Sequence, residues 1–304
     1  MLGKNLGKVE KILIINQNIF ISLLNNQLSI KTNMPYFRII VICIIYINSL
    51  TLNGQSKQRL ISLAPLLTKM IYLLDNQGNL VGCTNYCTVA VKDHKSIVST
   101  GMEVNIEKII LLKPDLVITT SLTKPSITET LKKNGLRIQV FNLPDSYDEL
   151  CKLFIDLGSL MDKSKKALEI ISKQQKRLNI IKLSLPANKK PGVFFEIGIK
   201  PIFTVIPNTF MDDYIKYAGG INIAADLSNG LITKESVLIR NPDVIFIENM
   251  GLMARDEELM WRGYKNINAV KNNKIFFLDA DDSCSPDPVK FVDVVELMVK
   301  LMYK

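Results

Sequence analysis

Asn105-Ile-Glu-Lys-Ile-Ile-Leu-Leu-Lys-Pro-Asp-Leu-Val-Ile118 and Thr233-Lys-Glu-Ser-Val-Leu-Ile-Arg-Asn-Pro-Asp-Val-Ile-Phe246 align without a gap, 128 positions apart. Each opens on a residue suited to capping a helix, places a glutamate two positions later and continues through an apolar helical turn. Pro-Asp then stops the helix, and a β-prone run follows. One unit used twice predicts two similar lobes with a cleft between them. Glu107 and Glu235 become candidates for one shared task.

Outward from the first copy, Arg59–Ala64 reads as a strand and Pro65 opens a helix over Leu66–Asp75. A short strand over Leu80–Cys83 leads into a loop expected over Thr84–Gly101. After the helix at 106–112 and the strand Leu116–Thr120, a helix over Ser126–Asn134 and a strand over Arg137–Phe141 complete a β-α alternation. Such alternation predicts a mostly parallel, covered sheet. From Ser146 to about Leu185 the pattern is helical, and its second part, Lys163–Leu183, is long and lysine-rich outside. Apolar residues at 167, 168, 170, 171, 178, 180, 181 and 183 suit a stiff spacer between lobes. Gly192–Ile197 then starts the second lobe as a strand, followed by a loop over Gly198–Asn208 and a helix at 209–218 stopped by Gly219-Gly220. Beyond the second copy come a segment around Trp261, a strand over Lys274–Leu278, an acidic loop over Asp279–Pro288 and a terminal helix.

The expected fold class is therefore α/β: two Rossmann-like lobes with mostly parallel sheets, joined by a long backbone helix, with the ligand cleft between them. The domains expected are a signal-peptide region at 1–57, a first lobe at 58–145, a helical region at 146–189 and a second lobe at 190–304.

The net charge of +9 invites a nucleic-acid reading, but residues 1–57 carry six Lys/Arg against one acid, leaving +4 for the remainder. No basic stripe with interleaved aromatics remains, so nucleic acid is not an expected partner. Arg38 followed by the apolar run Ile39–Ile47, then by Leu52-Asn-Gly54, reads as a secretory signal with Met34 as the expected start. The competing reading is an uncleaved anchor. Cys43 sits mid-run behind Ile42, so lipid modification there is not expected. Export places Cys83, Cys87, Cys151 and Cys284 in an oxidising compartment, where four thiols allow three full pairings. Zinc is disfavoured, because Cys83 and Cys87 have C-x3-C spacing and His94 is the single histidine.

Ligands of open parallel sheets sit beyond the carboxyl ends of the strands. Here those loops carry polar and aromatic residues, and the chain lacks a G-x-S-x-G elbow, a P-loop and a G-x-G-x-x-G. A site built for holding is expected, not an enzyme. Glu107 and Glu235 would each stabilise a helix N-terminus by roughly 0.3–1 kcal/mol. That role does not require both copies to keep Glu where Ile106 faces Lys234 and Lys108 faces Ser236. One carboxylate per lobe suits a basic partner with two-fold symmetry.

Several motifs resemble the helical-backbone substrate-binding proteins of ABC importers, the group that serves cobalamin, ferric siderophores and haem. They are Arg59-Leu-Ile-Ser-Leu-Ala-Pro65, Leu80-Val-Gly-Cys-Thr-Asn-Tyr86, Val104-Asn-Ile-Glu107, Lys113-Pro-Asp-Leu-Val117 and Gly219-Gly-Ile-Asn222. Asn241-Pro-Asp-Val-Ile245, Ala269-Val-Lys-Asn-Asn-Lys274 and Ser285-Pro286 complete the set, and the resemblance covers about 58–304. It implies that Glu107 and Glu235 dock onto arginines of an ABC permease dimer. Gly192–Phe203 looks most like the cobalamin-binding members, and Tyr86 falls where they set a tyrosine against the corrin. Gly101 and Ser121 stand where those members have tryptophan.

The resemblance thus implies an exported, monomeric receptor without a cofactor, located in the periplasm. Its ligand would be a metal chelate, a corrinoid by preference, with a ferric siderophore or haem as the alternative. An exported enzyme on the same two-lobed frame is the rival from another class. Tyr86, Cys87, Met102, Ser121, Gly198, Phe203, Asp282 and Cys284 are the expected ligand-binding residues. Cys87 and Cys284 are open to three fates: ligation of a chelated metal, a disulfide across the cleft mouth, or no role.

Overall fold

Five parallel strands build the first lobe: β1 (Leu60–Ser62), β2 (Leu80–Thr84), β3 (Ser96–Ser99), β4 (Leu116–Thr120) and β5 (Ile138–Phe141), in the order β3-β2-β1-β4-β5. The computed structural model describes residues 58–100, 103–249 and 253–303. The expected signal segment, Met34, Cys43 and the site candidate Met102 lie outside them. Helices α1 (Pro65–Leu73), α2 (Thr88–Lys92), α3 (Ile106–Leu111) and α4 (Pro125–Lys133) connect the strands. Proline opens α1 and α4, where a missing N–H costs nothing. Two long helices follow, α5 (Tyr147–Leu160) and α6 (Ser164–Ser184).

The second lobe holds β6 (Gly192–Ile199), β7 (Ile202–Thr204), α7 (Phe210–Tyr217), β8 (Ile221–Asn222), α8 (Lys234–Arg240) and β9 (Val244–Asn249). It continues through α9 (Met253–Arg262), α10 (Asn268–Lys271), β10 (Ile275–Asp279), α11 (Ala280–Ser283) and α12 (Pro288–Met302). Its sheet runs β10-β9-β6-β7, with β8 beside the start of β6. All of its pairs are parallel except β6–β7.

The two repeat copies fold alike down to single hydrogen bonds. Asn105 Oδ1 accepts the Lys108 N–H at 2.8 Å, and Thr233 Oγ1 accepts the Ser236 N–H at 3.2 Å. Each cap satisfies an otherwise orphaned donor, a contribution of about 1 kcal/mol. Lys113 and Asn241, ahead of the prolines, both end their helices at φ 46°. The aspartate after each proline then clamps the lobe's central strand. Asp115 accepts the Arg59 N–H at 2.7 Å and donates its own N–H to the Arg59 carbonyl at 2.8 Å. Asp243 does the same with Gly192, at 2.9 and 2.8 Å. Pro-Asp is thus a register device that fixes β4 beside β1 and β9 beside β6.

One large cluster of buried residues runs from Leu60 in the first lobe through α5, α6 and α7 to Met302 at the end of α12. The long helix α6 buries Ala167, Ile171, Gln174, Leu178 and Ile181, a stripe at alternating spacings of four and three. It packs on α5 and α12, and Arg177 ties it to α12 through Asp293 and Glu296 at 2.8 and 2.7 Å. At Gly158 in α5 a Cβ would stand 2.7 Å from the Ala167 Cβ, so the close approach of α5 and α6 depends on glycine.

Five expectations are corrected. Thr84–Gly101 is not a loop: it contains α2 and the edge strand β3, too short to give a periodic signal. Gly198–Asn208 contains the β6–β7 hairpin, because β6 runs on to Ile199 and turns at Lys200-Pro201. The segment around Trp261 is helix α9, and the acidic loop after β10 holds α11. Leu168, Ile180 and Leu183 of α6 are exposed, because three flanking helices cover only one stripe of it.

Candidate functional site

Between the lobes lies a cavity of about 530 Å³. The first lobe lines it with Ala64–Leu66 after β1, Thr120 and Leu122 at the end of β4, and Leu143–Asp145 after β5. These are carboxyl ends of neighbouring parallel strands, where such sheets place their ligands. The second lobe contributes Ile197, the stretch Phe203–Ile206, Phe210, Met211 and Cys284–Pro286. The wall is largely apolar; among the described residues Asp145 is the one carboxylate that lines it, and no Lys, Arg or His does.

Gly198 explains how Phe203 comes to face the cavity. The β6–β7 register shifts between Glu196 and Gly198, and a Cβ at Gly198 would lie 3.2 Å from the Phe203 Cβ. The bulge and the missing side chain let the ring, 39% exposed, turn into the cleft. Gly198 itself is not in the wall. Tyr86, 60% exposed, stands on the loop after β2 but is not among the lining residues. Ser121 is a turn residue whose N–H donates to Phe141 at 2.9 Å, between the lining residues Thr120 and Leu122. Asp282 stands outside the wall and accepts Lys290 Nζ at 2.9 Å.

The cysteines separate. Cys284 lines the cavity, whereas Cys87 is buried at the start of α2, with Sγ 3.0 Å from Thr68 Oγ1 and 3.2 Å from Thr84 Oγ1. All four described cysteines are free thiols, so no disulfide crosses the mouth. A hydrogen bond to Cys87, together with burial, raises the Cys83 thiol. Burial pushes Cys284 up to about 12, and the adjacent Glu248 adds to this. Of the candidates, the structure brings Phe203 and Cys284 together at the cavity. Leu122, Leu143, Val205 and Met211 were missed, because apolar residues near strand ends read as core. The signal available was Leu122 and Leu143 in otherwise polar loops.

The lobes are fastened together by a lysine that reaches Ser285 of the cavity wall. Lys69 on α1 is 9% exposed, and its ammonium meets Asp281 Oδ1 on α11 at 2.8 Å. The same group donates to the carbonyls of Ser285, at 3.0 Å, and of Asp281. Thr88 Oγ1 donates to Asp281 Oδ2 at 3.2 Å. Lys69 is thereby consumed by protein and offers no free cation to an anionic ligand.

Glu107 and Glu235 are exposed in the first turns of α3 and α8. Hydrogen bonds from its own backbone N–H and from Thr233 hold Glu235 below the usual carboxylate range. One helical turn beyond each glutamate stands an exposed aliphatic: Leu111 at 79% and Ile239 at 85%.

A sequence profile of the family described as periplasmic binding protein matches residues 60–281. The chain belongs to that family. This periplasmic binding protein is 28% identical over 255 residues to the uncharacterized ABC transporter substrate-binding lipoprotein YvrC of Bacillus subtilis (strain 168), covering 81% of this chain and 80% of the relative. It is 26% identical over 260 residues to the vitamin B12-binding protein of Vibrio parahaemolyticus, covering 83% of this chain and 92% of that one. Among solved structures, the binding protein resembles a possible iron-binding (periplasmic solute-binding) protein from Staphylococcus epidermidis ATCC 12228. There the TM-score is 0.71 and the identity 29%, over 81% of this chain and 99% of the other.

Proposed function

We propose that this chain is the extracytoplasmic substrate-binding protein of an ABC importer, capturing a metal chelate, a corrinoid by preference, and passing it to a permease dimer. The observation that carries the ligand class is the cavity wall. It is largely apolar, it is shared between the lobes, and among the described residues it carries no cationic side chain. Catecholate siderophores and haem propionates are anionic and call for arginine or lysine partners. A corrinoid rimmed by neutral amides does not. Phe203 offers an aromatic face inside the cleft. The iron-binding relative keeps a ferric chelate as the second reading.

Docking rests on the repeat. Each lobe displays a carboxylate with an aliphatic side chain one turn away, and two such patches match a permease built from two equal halves. The protein acts by binding alone, as a monomer, and reaches the periplasm through the signal segment at 1–57. Calorimetric titration with cyanocobalamin, haemin and a ferric catecholate tests the ligand class. Cyanocobalamin is expected to bind at least about tenfold more tightly than either of the others, a difference of about 1.4 kcal/mol. Failure of all three to bind overturns the reading.

A further inference from the structure

On the face of the second sheet turned away from the cavity, two carboxyl groups are buried together. Glu196 on β6 is 1% exposed, and Glu257 on α9 is 6% exposed. Alternation along β6 sends Ile197 to the cavity and Glu196 to the opposite face, beside Phe194 and Trp261. Glu196 Oε2 accepts the Trp261 Nε1–H at 2.7 Å. Glu196 Oε1 and Glu257 Oε1 are each buried without a hydrogen-bond partner. Glu257 precedes Trp261 by one turn on the same face of α9, and the Trp261 bond to Glu196 therefore brings that face, with Glu257, against Glu196. Two carboxylates cannot bond, because both are acceptors only. As a carboxylic acid, however, Glu196 donates to Glu257, and one O–H···O bond satisfies both orphaned oxygens at once.

The geometry points to a single proton shared between Glu196 and Glu257 that fastens α9 to the second sheet, so that α9 loosens when the proton is lost. The surroundings support this. Lys234 on α8 is the cation that acts on Glu196, and it sits beside the exposed Glu235. The β7 strand, Ile202–Thr204, brings no charge, and on β9 the residue opposite Glu196 is Ile247. Glu248 points to the other face of the sheet. On α9, Arg262 is occupied by Glu258 at 2.7 Å and by Asn273 at 2.7 Å. Arg255, also on α9, is exposed, and among the described residues no ion pair is made to Glu196 or Glu257. Burial pushes Glu196 up to about 8, with Glu257 adding to the rise and the Trp261 bond opposing it.

The consequence for pH has a definite sign. Unfolded, Glu196 titrates near 4.5; folded, it holds its proton to about 8. The attachment of α9 is strongest below the lower value, weakens as pH rises through the interval, and is constant above it. Ile197, the neighbour of Glu196, lines the cavity, and Lys234 adjoins Glu235.

Trp261 is the single tryptophan of the chain, so its emission reports on this cluster alone. The test is emission and acrylamide quenching of the purified protein from roughly pH 6 to 10. The wild type is expected to shift to longer wavelength and to become more quenchable, with a midpoint near 8. Glu196→Gln, whose amide donates to Glu257 while its carbonyl accepts from Trp261, is expected to stay blue-shifted and flat. Glu257→Gln donates to an ionised Glu196 and is expected to abolish the transition within the same window, which decides the matter if the first variant does not fold. A flat wild type, or a transition unchanged in the variants, overturns the inference.

Discussion

Lys69 of the first lobe and Asp281 of the second form an ion pair of 2.8 Å, with the lysine almost wholly buried. The ammonium also satisfies the carbonyls of Asp281 and Ser285, so it braces the segment that presents Cys284, Ser285 and Pro286 to the cleft. Lys69→Met leaves those carbonyls without their donor while the half-exposed Asp281 regains water. The expected loss is about 1–3 kcal/mol of stability, read by urea unfolding. Spin labels at Leu122 and Leu231, both exposed, should report a wider distance distribution between the lobes. An unchanged distribution would show that the brace does not hold the lobes.

Charge reversal at Glu107 and Glu235 tests the proposed docking role of these residues. The double variant Glu107→Lys, Glu235→Lys should lose most of its ability to stimulate its permease's ATPase, by about tenfold or more. Chelate affinity should stay within about twofold, because neither residue lines the cavity. Leu111→Ser with Ile239→Ser should weaken the same coupling to a lesser degree. Normal stimulation by all of these proteins would remove both patches from the interface.

Gly198→Val should damage binding without unfolding the lobe. The new side chain meets Phe203 at 3.2 Å and turns its ring out of the cleft. Chelate affinity should fall by about tenfold, while the melting temperature moves by only a few degrees. Phe203→Ala should reproduce the loss of affinity if the ring is the contact that matters.

Gly158→Val addresses the helical layer. Its Cβ would lie 2.7 Å from that of Ala167, which is fully buried. The two helices must part, at a cost of about 1–3 kcal/mol. Ala167→Gly in the same chain should recover part of this in thermal melts. Full stability of Gly158→Val alone would contradict the packing.

Glu248 gives a second pH-dependent contribution to stability. Burial pushes it up to about 7 from an ordinary 4.5, against the opposing hydrogen bonds from Ser283, at 2.8 Å, and Cys284. The folded protein thus keeps a proton that the unfolded chain has released. Stability falls as pH rises between those values and levels off above them, by on the order of 3 kcal/mol in all. Glu248→Gln should flatten that segment of the pH–stability curve measured by calorimetry. A slope equal to that of the wild type would place its cause elsewhere.

Much of this architecture was legible because local chemistry and tertiary role coincide. Asn105 and Thr233 are caps by residue type alone, and they cap. Pro-Asp announced the end of each helix, although nothing in the dipeptide told that its carboxylate would clamp Arg59 or Gly192. Elements of three to five residues, such as α2, β3 and β7, stay below any periodicity and are held by neighbours distant in sequence. The site was harder to read for a related reason. Cys87 follows a strand end, as a cleft residue should, but the turn faces it inward toward Thr68. Leu122 and Leu143 face the cavity, and hydrophobicity does not distinguish a wall from a core. Glu196 was read only as part of a strand, since its partner Glu257 lies 61 residues on, in a helix absent from the sequence-based reading.

The buried cluster that begins at Leu60 and ends at Met302 makes the lobes inseparable in a thermodynamic sense. If that shared cluster couples the two lobes, heating should give one calorimetric peak, with the van't Hoff and calorimetric enthalpies equal. Either lobe expressed alone should be less stable than the whole chain, because it would expose its half of a common interior. Chelate bound to the wall of either lobe then raises the melting point of the entire receptor.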